Sequence, residues 1–186
     1  FPTRRSSDLI IENYIRKASA AVSFVIFAFT EDNIEDALIS RHKAGVNVRG
    51  MCDDLSAGGK SSGYYTLLSN NMNIKKDSNP RAQLHHKFTV IDHESGTSAV
   101  VITGSHNYTK AANTKNDENI VIIHDRYYAQ LYFNEFAKLY GAPMIKIAEP
   151  ALSINQGLKQ SSTAEVQLNK PGTIPASGKT TENIIK

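Results

Sequence analysis

The residues best suited to chemistry lie in two short stretches, Leu84-His85-His86-Lys87-Phe88-Thr89-Val90-Ile91-Asp92 and Thr103-Gly104-Ser105-His106-Asn107. In an extended segment alternate side chains share a face, so a strand here projects His85 and Lys87 from the same side. An imidazole works as nucleophile or proton carrier near neutral pH, and an ammonium two residues away can stabilise a negatively charged group under attack. A lone H-x-K on a strand is more often surface decoration; what gives this one weight is the series of polar residues that follows it. Metal binding is the competing chemistry, because His85, His86, His93, His106 and Asp92 are dense. No H-x3-H or H-E-x-x-H spacing occurs, and adjacent strand histidines point apart, so no metal is expected.

The ordered pattern His85-x-Lys87-x4-Asp92, Gly104-Ser105-x-Asn107 and Asn116-x-Glu118-Asn119 resembles the motifs of the phospholipase D superfamily, the HKD phosphodiesterases, over roughly residues 9–141. One departure is the eleven-residue stretch from His93 to Thr103, longer than the family's usual link and read as an enlarged hairpin loop of the kind loops tolerate. The resemblance implies an α/β fold, a mixed β-sheet flanked by helices on both faces, with one HKD motif per chain. It implies hydrolysis of a phosphodiester through a phosphohistidine, with no metal or other cofactor. His85 would be the nucleophile, Lys87 and Asn107 would hold the non-bridging oxygens, and Glu118 would bond the second imidazole nitrogen. Asp92 completes the catalytic set; lying seven residues from His85, it falls on the opposite face of a regular strand and is read as a structural hydrogen-bonding or ion-pairing residue rather than a base. Ser105 and the small Gly104 would contact substrate, His86 would face away from the site, and His106 fills a position the family varies.

No second H-x-K-x4-D is present. A single imidazole cannot both attack phosphorus and protonate the oxygen leaving from the far side, so a one-motif chain is expected to complete its site as a C2 homodimer. Compact single-motif members of the family include Nuc-type endonucleases and phospholipid or cardiolipin hydrolases. The run Thr103 to Ala112, followed by Asn116 to Asn119, favours a nucleic-acid substrate, with the phospholipid as the alternative. A binding module that keeps the fold without catalysis is disfavoured, since every matched position is intact.

The elements that must position these residues alternate between helix and strand. Ile11, Tyr14, Ile15 and Ala18 recur at helical spacing, and Ala21 to Phe29 forms a nearly continuous apolar run that fits a doubly buried strand. Thr30 is placed to cap the next helix, Gly45 ends it, and Val46 to Cys52 follows as a strand in which Cys52 is a small buried residue. Asp53 to Gly63 reads as a flexible rim near substrate. Its Gly58-Gly59-Lys60-Ser61 only imitates a phosphate loop, because Asp54 stands where that motif requires glycine. Tyr64 to Asn70 is helix-like and Met72 to Lys76 is a short strand; Lys75, Lys76 and Arg81 are a candidate local basic patch. Ala99 to Thr103 and Ile120 to Ile123 read as buried strands. A final helix carries the stripe Ala129, Tyr132, Phe133, Phe136, Ala137 and Tyr140, capped by Asp125, ended by Gly141, and expected to pack in the core rather than stack on bases.

The 186 residues carry a formal charge of +3, but residues 9–148 hold 15 lysines and arginines against 14 aspartates and glutamates. Overall charge therefore lends almost no support to nucleic-acid binding, and any basic footprint must be local. Residues 1–9 read as a translated sequencing adapter, 10–148 as the catalytic domain, and 149–186 as a linker or disordered tail, with room for the start of a truncated module. One cysteine excludes an internal disulfide framework. The compartment is left open, a secreted or periplasmic location included.

Overall fold

The computed structural model describes residues 7–59, 62–79 and 82–148. In chain order the elements are α1 (Ser7–Lys17), β1 (Ala21–Ile26), α2 (Asp32–Lys43), β2 (Asn47–Cys52), α3 (Asp54–Ala57), α4 (Gly63–Ser69), β3 (Asn73–Lys76), β4 (Lys87–Ile91), β5 (Val100–Gly104), α5 (Lys110–Thr114), β6 (Ile120–Ile123) and α6 (Arg126–Tyr140). The α/β alternation is as expected. The helix α1 takes in Ser7, Asp8 and Leu9 from the stretch set aside as extraneous. The expected tail, along with Lys60, Ser61 and Arg81, lies outside the described residues.

Six strands form one mixed sheet in the order β3-β2-β1-β4-β5-β6. β1, β2 and β3 run parallel, while β4 pairs antiparallel with both β1 and β5, and β5 with β6. Strand alternation sorts the apolar residues onto two faces. Val22, Phe24, Ile26, Val48 and Cys52 pack with Ile11 and Ile15 of α1, Ile34 and Leu38 of α2, and Leu67 of α4. Val25, Met51, Phe88, Val90 and Val101 pack beneath Ala129, Phe133, Phe136 and Ala137 of α6. Helices thus cover both faces, and β1 is buried along its whole length. Among the described residues no helix is long and apolar enough to cross a membrane.

Local signals set most boundaries. Asp125 caps α6 by accepting from the Tyr128 amide, and Gly141 ends it in the left-handed conformation. The aromatic stripe of α6 packs in the core and also receives Arg49 of β2, whose guanidinium lies 5.4 Å from the Phe136 ring centre and 5.5 Å from that of Phe133. Cys52 is 2% exposed, and burial pushes its thiol up to about 12. Thr30 does not cap α2. The chain is still extended there, with the Thr30 amide donating to the Tyr108 carbonyl, so the cap position falls on Glu31, which makes no side-chain cap bond.

Lys75 and Lys76 do not gather into an open patch. Lys75 Nζ donates to the Tyr140 carbonyl over that residue's ring, and Lys76 contacts Asp54 and Tyr65.

Candidate active site

β4 begins at Lys87, so His85 stands on the approach to the strand rather than within it. The ladder explains why: Ile26 of β1 pairs with Lys87, and β1 ends there. The expected pairing of side chains survives, because Lys87 Nζ lies 3.2 Å from His85 Nε2 and donates to the His85 carbonyl at 3.0 Å. Both residues rest on Phe27, immediately after β1. Its ring centre is 4.9 Å from the imidazole centre and 5.2 Å from the ammonium. The approach itself is held by Asp53, buried at the end of β2, whose Oδ2 accepts from the Leu84 amide while Oδ1 caps α3. The segment expected to be a flexible rim therefore begins with an anchor for the chain leading to His85.

The second stretch is fixed against the continuation of β1. The Tyr108 amide donates to the Ala28 carbonyl, and its hydroxyl bonds Thr89 of β4. Asn107 Oδ1 accepts from the Ala28 amide at 3.2 Å, which leaves the Nδ2 hydrogens as that side chain's donors. Gly104 closes β5 at φ +142°, and an added Cβ would lie 2.3 Å from the Asn119 carbonyl oxygen. The close approach it permits is thus by the strand next door. Ser105 follows, its amide donating to Asn119 Oδ1 at 2.8 Å and its hydroxyl bonding Glu118.

Glu118 also accepts from Asn116 Nδ2 at 2.9 Å. Burial raises its carboxyl, but the Ser105 and Asn116 hydrogen bonds and the nearby His106 and Lys87 outweigh that and hold it below the ordinary glutamate value. The sequence assigned this carboxylate to the second imidazole nitrogen; within this chain Ser105 and Asn116 hold it instead. Lys87 shifts downward by burial, opposed by Glu118. Beside these groups opens a cleft of about 460 Å³ lined by His85, His86, Lys87, Phe88, Tyr132 and Glu135, among others.

Asp92 is not brought to this group. It sits at the other end of β4, 2% exposed and at φ +46°, where its carboxylate accepts from the amides of Ser19, Ala20 and Ala21 and from the hydroxyls of Ser19 and Ser98. Burial alone would raise its carboxyl; these donors more than offset it and hold it low. Asp92 ties the α1–β1 turn to β4.

The other histidines separate cleanly. His86, expected to face away from the site, instead lines the same cleft as His85 and Lys87, 3.8 Å from Glu135, and His106 is buried with Nε2 against Asn113 Oδ1. His93 is no loop ornament: it is buried and stacked on Phe133 with ring centres 3.7 Å apart. Among the described residues no group of three or more histidine, cysteine, aspartate or glutamate side chains is arranged to hold a metal ion.

Phe27 and Asp53 carry no motif, since they act through contacts between segments far apart in sequence. The one available signal was position, each directly following a buried strand.

The family profile described as cardiolipin synthase, PLD-like domain, matches residues 11–140, from α1 to the end of α6. The chain is 34% identical over 124 residues to the mitochondrial cardiolipin hydrolase of Xenopus tropicalis, covering 67% of this chain and 56% of that protein. It is 32% identical over 126 residues to the phospholipase D of Rickettsia felis, covering 68% and 60%. The chain thus spans little more than half the length of these curated relatives. Among solved structures it is similar to Nuc, a phospholipase D family member from Salmonella typhimurium, with TM-score 0.68 and 25% identity over 79% of this chain and 95% of that one. The matched span contains every residue of the His85, Gly104 and Glu118 motifs, and the chain belongs to the phospholipase D superfamily.

Proposed function

We propose that the chain is a metal-independent phosphodiesterase that works through a phosphohistidine and is completed by a second copy of itself. The observation that carries this is the convergence of His85, Lys87, Asn107, Ser105 and Glu118, from three separate segments, at one end of the sheet beside an open cleft. His85 of one protomer attacks phosphorus, forming an N–P bond as the P–O bond to the leaving group breaks. The partner's His85 gives its proton to the departing oxygen. It then takes a proton from the water that attacks the phosphohistidine, which releases the first imidazole. Lys87 and the Asn107 Nδ2 donors hold the non-bridging oxygens, where charge collects. Lys87 is already against the nucleophilic ring, so little reorganisation separates the resting site from one that grips a phosphoryl group.

The proposed substrate is a nucleic-acid strand. The Gly104 to Asn119 motifs support it, as does a fold likeness to Nuc that extends over nearly all of that structure. The second reading is a phospholipid headgroup, favoured by relatives named cardiolipin hydrolase and phospholipase D and by exposed Leu131, Tyr128 and Val121 on α6 and β6. The test is incubation with EDTA on single-stranded DNA, duplex DNA, RNA, and phosphatidylcholine or cardiolipin vesicles. Cleavage of one class is expected, with a loss of about a thousandfold or more in His85→Ala. Steep loss of activity with salt marks the nucleic acid, while dependence on an interface marks the lipid. Unchanged activity in His85→Ala, or loss of activity on EDTA treatment alone, overturns the proposal.

A further inference from the structure

We propose that Phe27 is a positioning residue of this site: its ring seats the His85 imidazole and holds Lys87 in its charged form beside it. The inference rests on the phosphodiesterase reading but depends on a contact that no motif contains. Phe27 follows β1, the strand buried on both faces, and its backbone is where β1 leaves the ladder with β4. The ring lies against the imidazole at 4.9 Å with the planes 55° apart, and the Lys87 ammonium lies 5.2 Å from the ring centre. Phe27, His85 and Lys87 therefore form a triangle whose third side is the 3.2 Å contact between Nζ and Nε2.

An ammonium over an aromatic face is attracted by the ring quadrupole, and more so where water is thinned. That attraction matters here because Lys87 is half-buried, and burial favours its neutral form. The groups facing Lys87 are the His85 ring, the Glu118 carboxylate with His106 behind it, and the His86–Glu135 pair across the cleft. The Glu118 carboxylate favours the ammonium by charge, and it is shared with Ser105 and Asn116. The Phe27 face supplies the rest. A neutral Lys87 could accept a hydrogen bond but could not balance the charge that gathers on a phosphoryl oxygen.

Phe27→Leu keeps an apolar side chain and removes the ring face; Phe27→Tyr keeps the face. Two readouts are needed: titration of the Lys87 side chain by NMR in isotopically labelled protein, and the pH profile of kcat and KM on bis-p-nitrophenyl phosphate. In Phe27→Leu the Lys87 midpoint is expected to fall by about half a pH unit. The alkaline limb of kcat should move down with it, kcat should fall by about tenfold, and KM should change little. Phe27→Tyr should behave as the parent in both. An unmoved Lys87 midpoint in Phe27→Leu overturns the proposal, as does a Tyr variant that behaves like the Leu variant. If Phe27→Leu does not fold, Phe27→Met takes its place. A parent protein that cleaves no phosphodiester sinks the proposed function, and the Lys87 titration then decides the role of Phe27 alone.

Discussion

Gly104 shows how much of the site depends on single atoms. Its φ of +142° is disfavoured for any side chain, and a Cβ would meet the Asn119 carbonyl at 2.3 Å and Asn119 Oδ1 at 2.9 Å. Those are the atoms that receive the Ser105 amide. Gly104→Ala should therefore destabilise the fold by about 1–3 kcal/mol. It should also depress turnover on the preferred substrate by more than the unfolded fraction accounts for, checked by urea unfolding beside rate measurements on the folded variant. The types and spacing of His85, Lys87, Asn107 and Glu118 were legible in the sequence because a motif keeps its members close along the chain. The Ser105–Glu118 bond and the Asp53 anchor were not, since nothing local marks a hydrogen bond between residues so far apart. Asp92 is the instructive middle case. Its spacing from His85 suggested a structural residue on the assumption of one regular strand, whereas β4 spans only Lys87–Ile91 and Asp92 sits just past its far end, closing the α1–β1 turn.

At the scale of elements, periodicity located the strands and the longer helices, while the short α3 and α5, each less than two turns long, carry too few residues to show a period. Thr30 was passed over as a cap, and His85 was left outside β4, because tertiary hydrogen bonds extend or end the backbone where local preference does not. The contact of α6 with the sheet adds a dependence on pH. His93 is stacked on Phe133 of α6, and burial, with Arg49 nearby, pulls its imidazole below the ordinary histidine value despite Glu94 and Asp92. A depressed folded value means that the unfolded chain takes up the proton first, so stability falls as pH drops below about 6.5. Tm should decline on acidification from neutrality, and His93→Leu should flatten that decline. Asp92, whose carboxyl is held low, contributes fully above about pH 4 and loses its contribution only as pH falls further. A Tm that declines equally in His93→Leu would remove His93 from the account.

Over the whole molecule, the strand order explains why residues so distant in sequence converge. Because β4 runs against β1, the carboxyl end of β1, the amino end of β4, the carboxyl end of β5 and the amino end of β6 all meet at one edge of the sheet. Phe27, His85, Ser105 and Glu118 are what those ends deliver. With one motif per chain, the proposed dyad makes each protomer's histidine necessary to its neighbour. Mixing parent and His85→Ala protein in equal amounts, after subunit exchange, should leave about a quarter of the activity, whereas independent chains would leave about half.

The same antiparallel arrangement puts the β4–β5 hairpin as far from the reacting atoms as the sheet allows. At its tip, a side chain built on Gly96 would meet no atom within 4 Å. That open tip is also an opening for the experimenter: a fluorophore or affinity handle grafted at Gly96 would report on the working protein without reaching the candidate site.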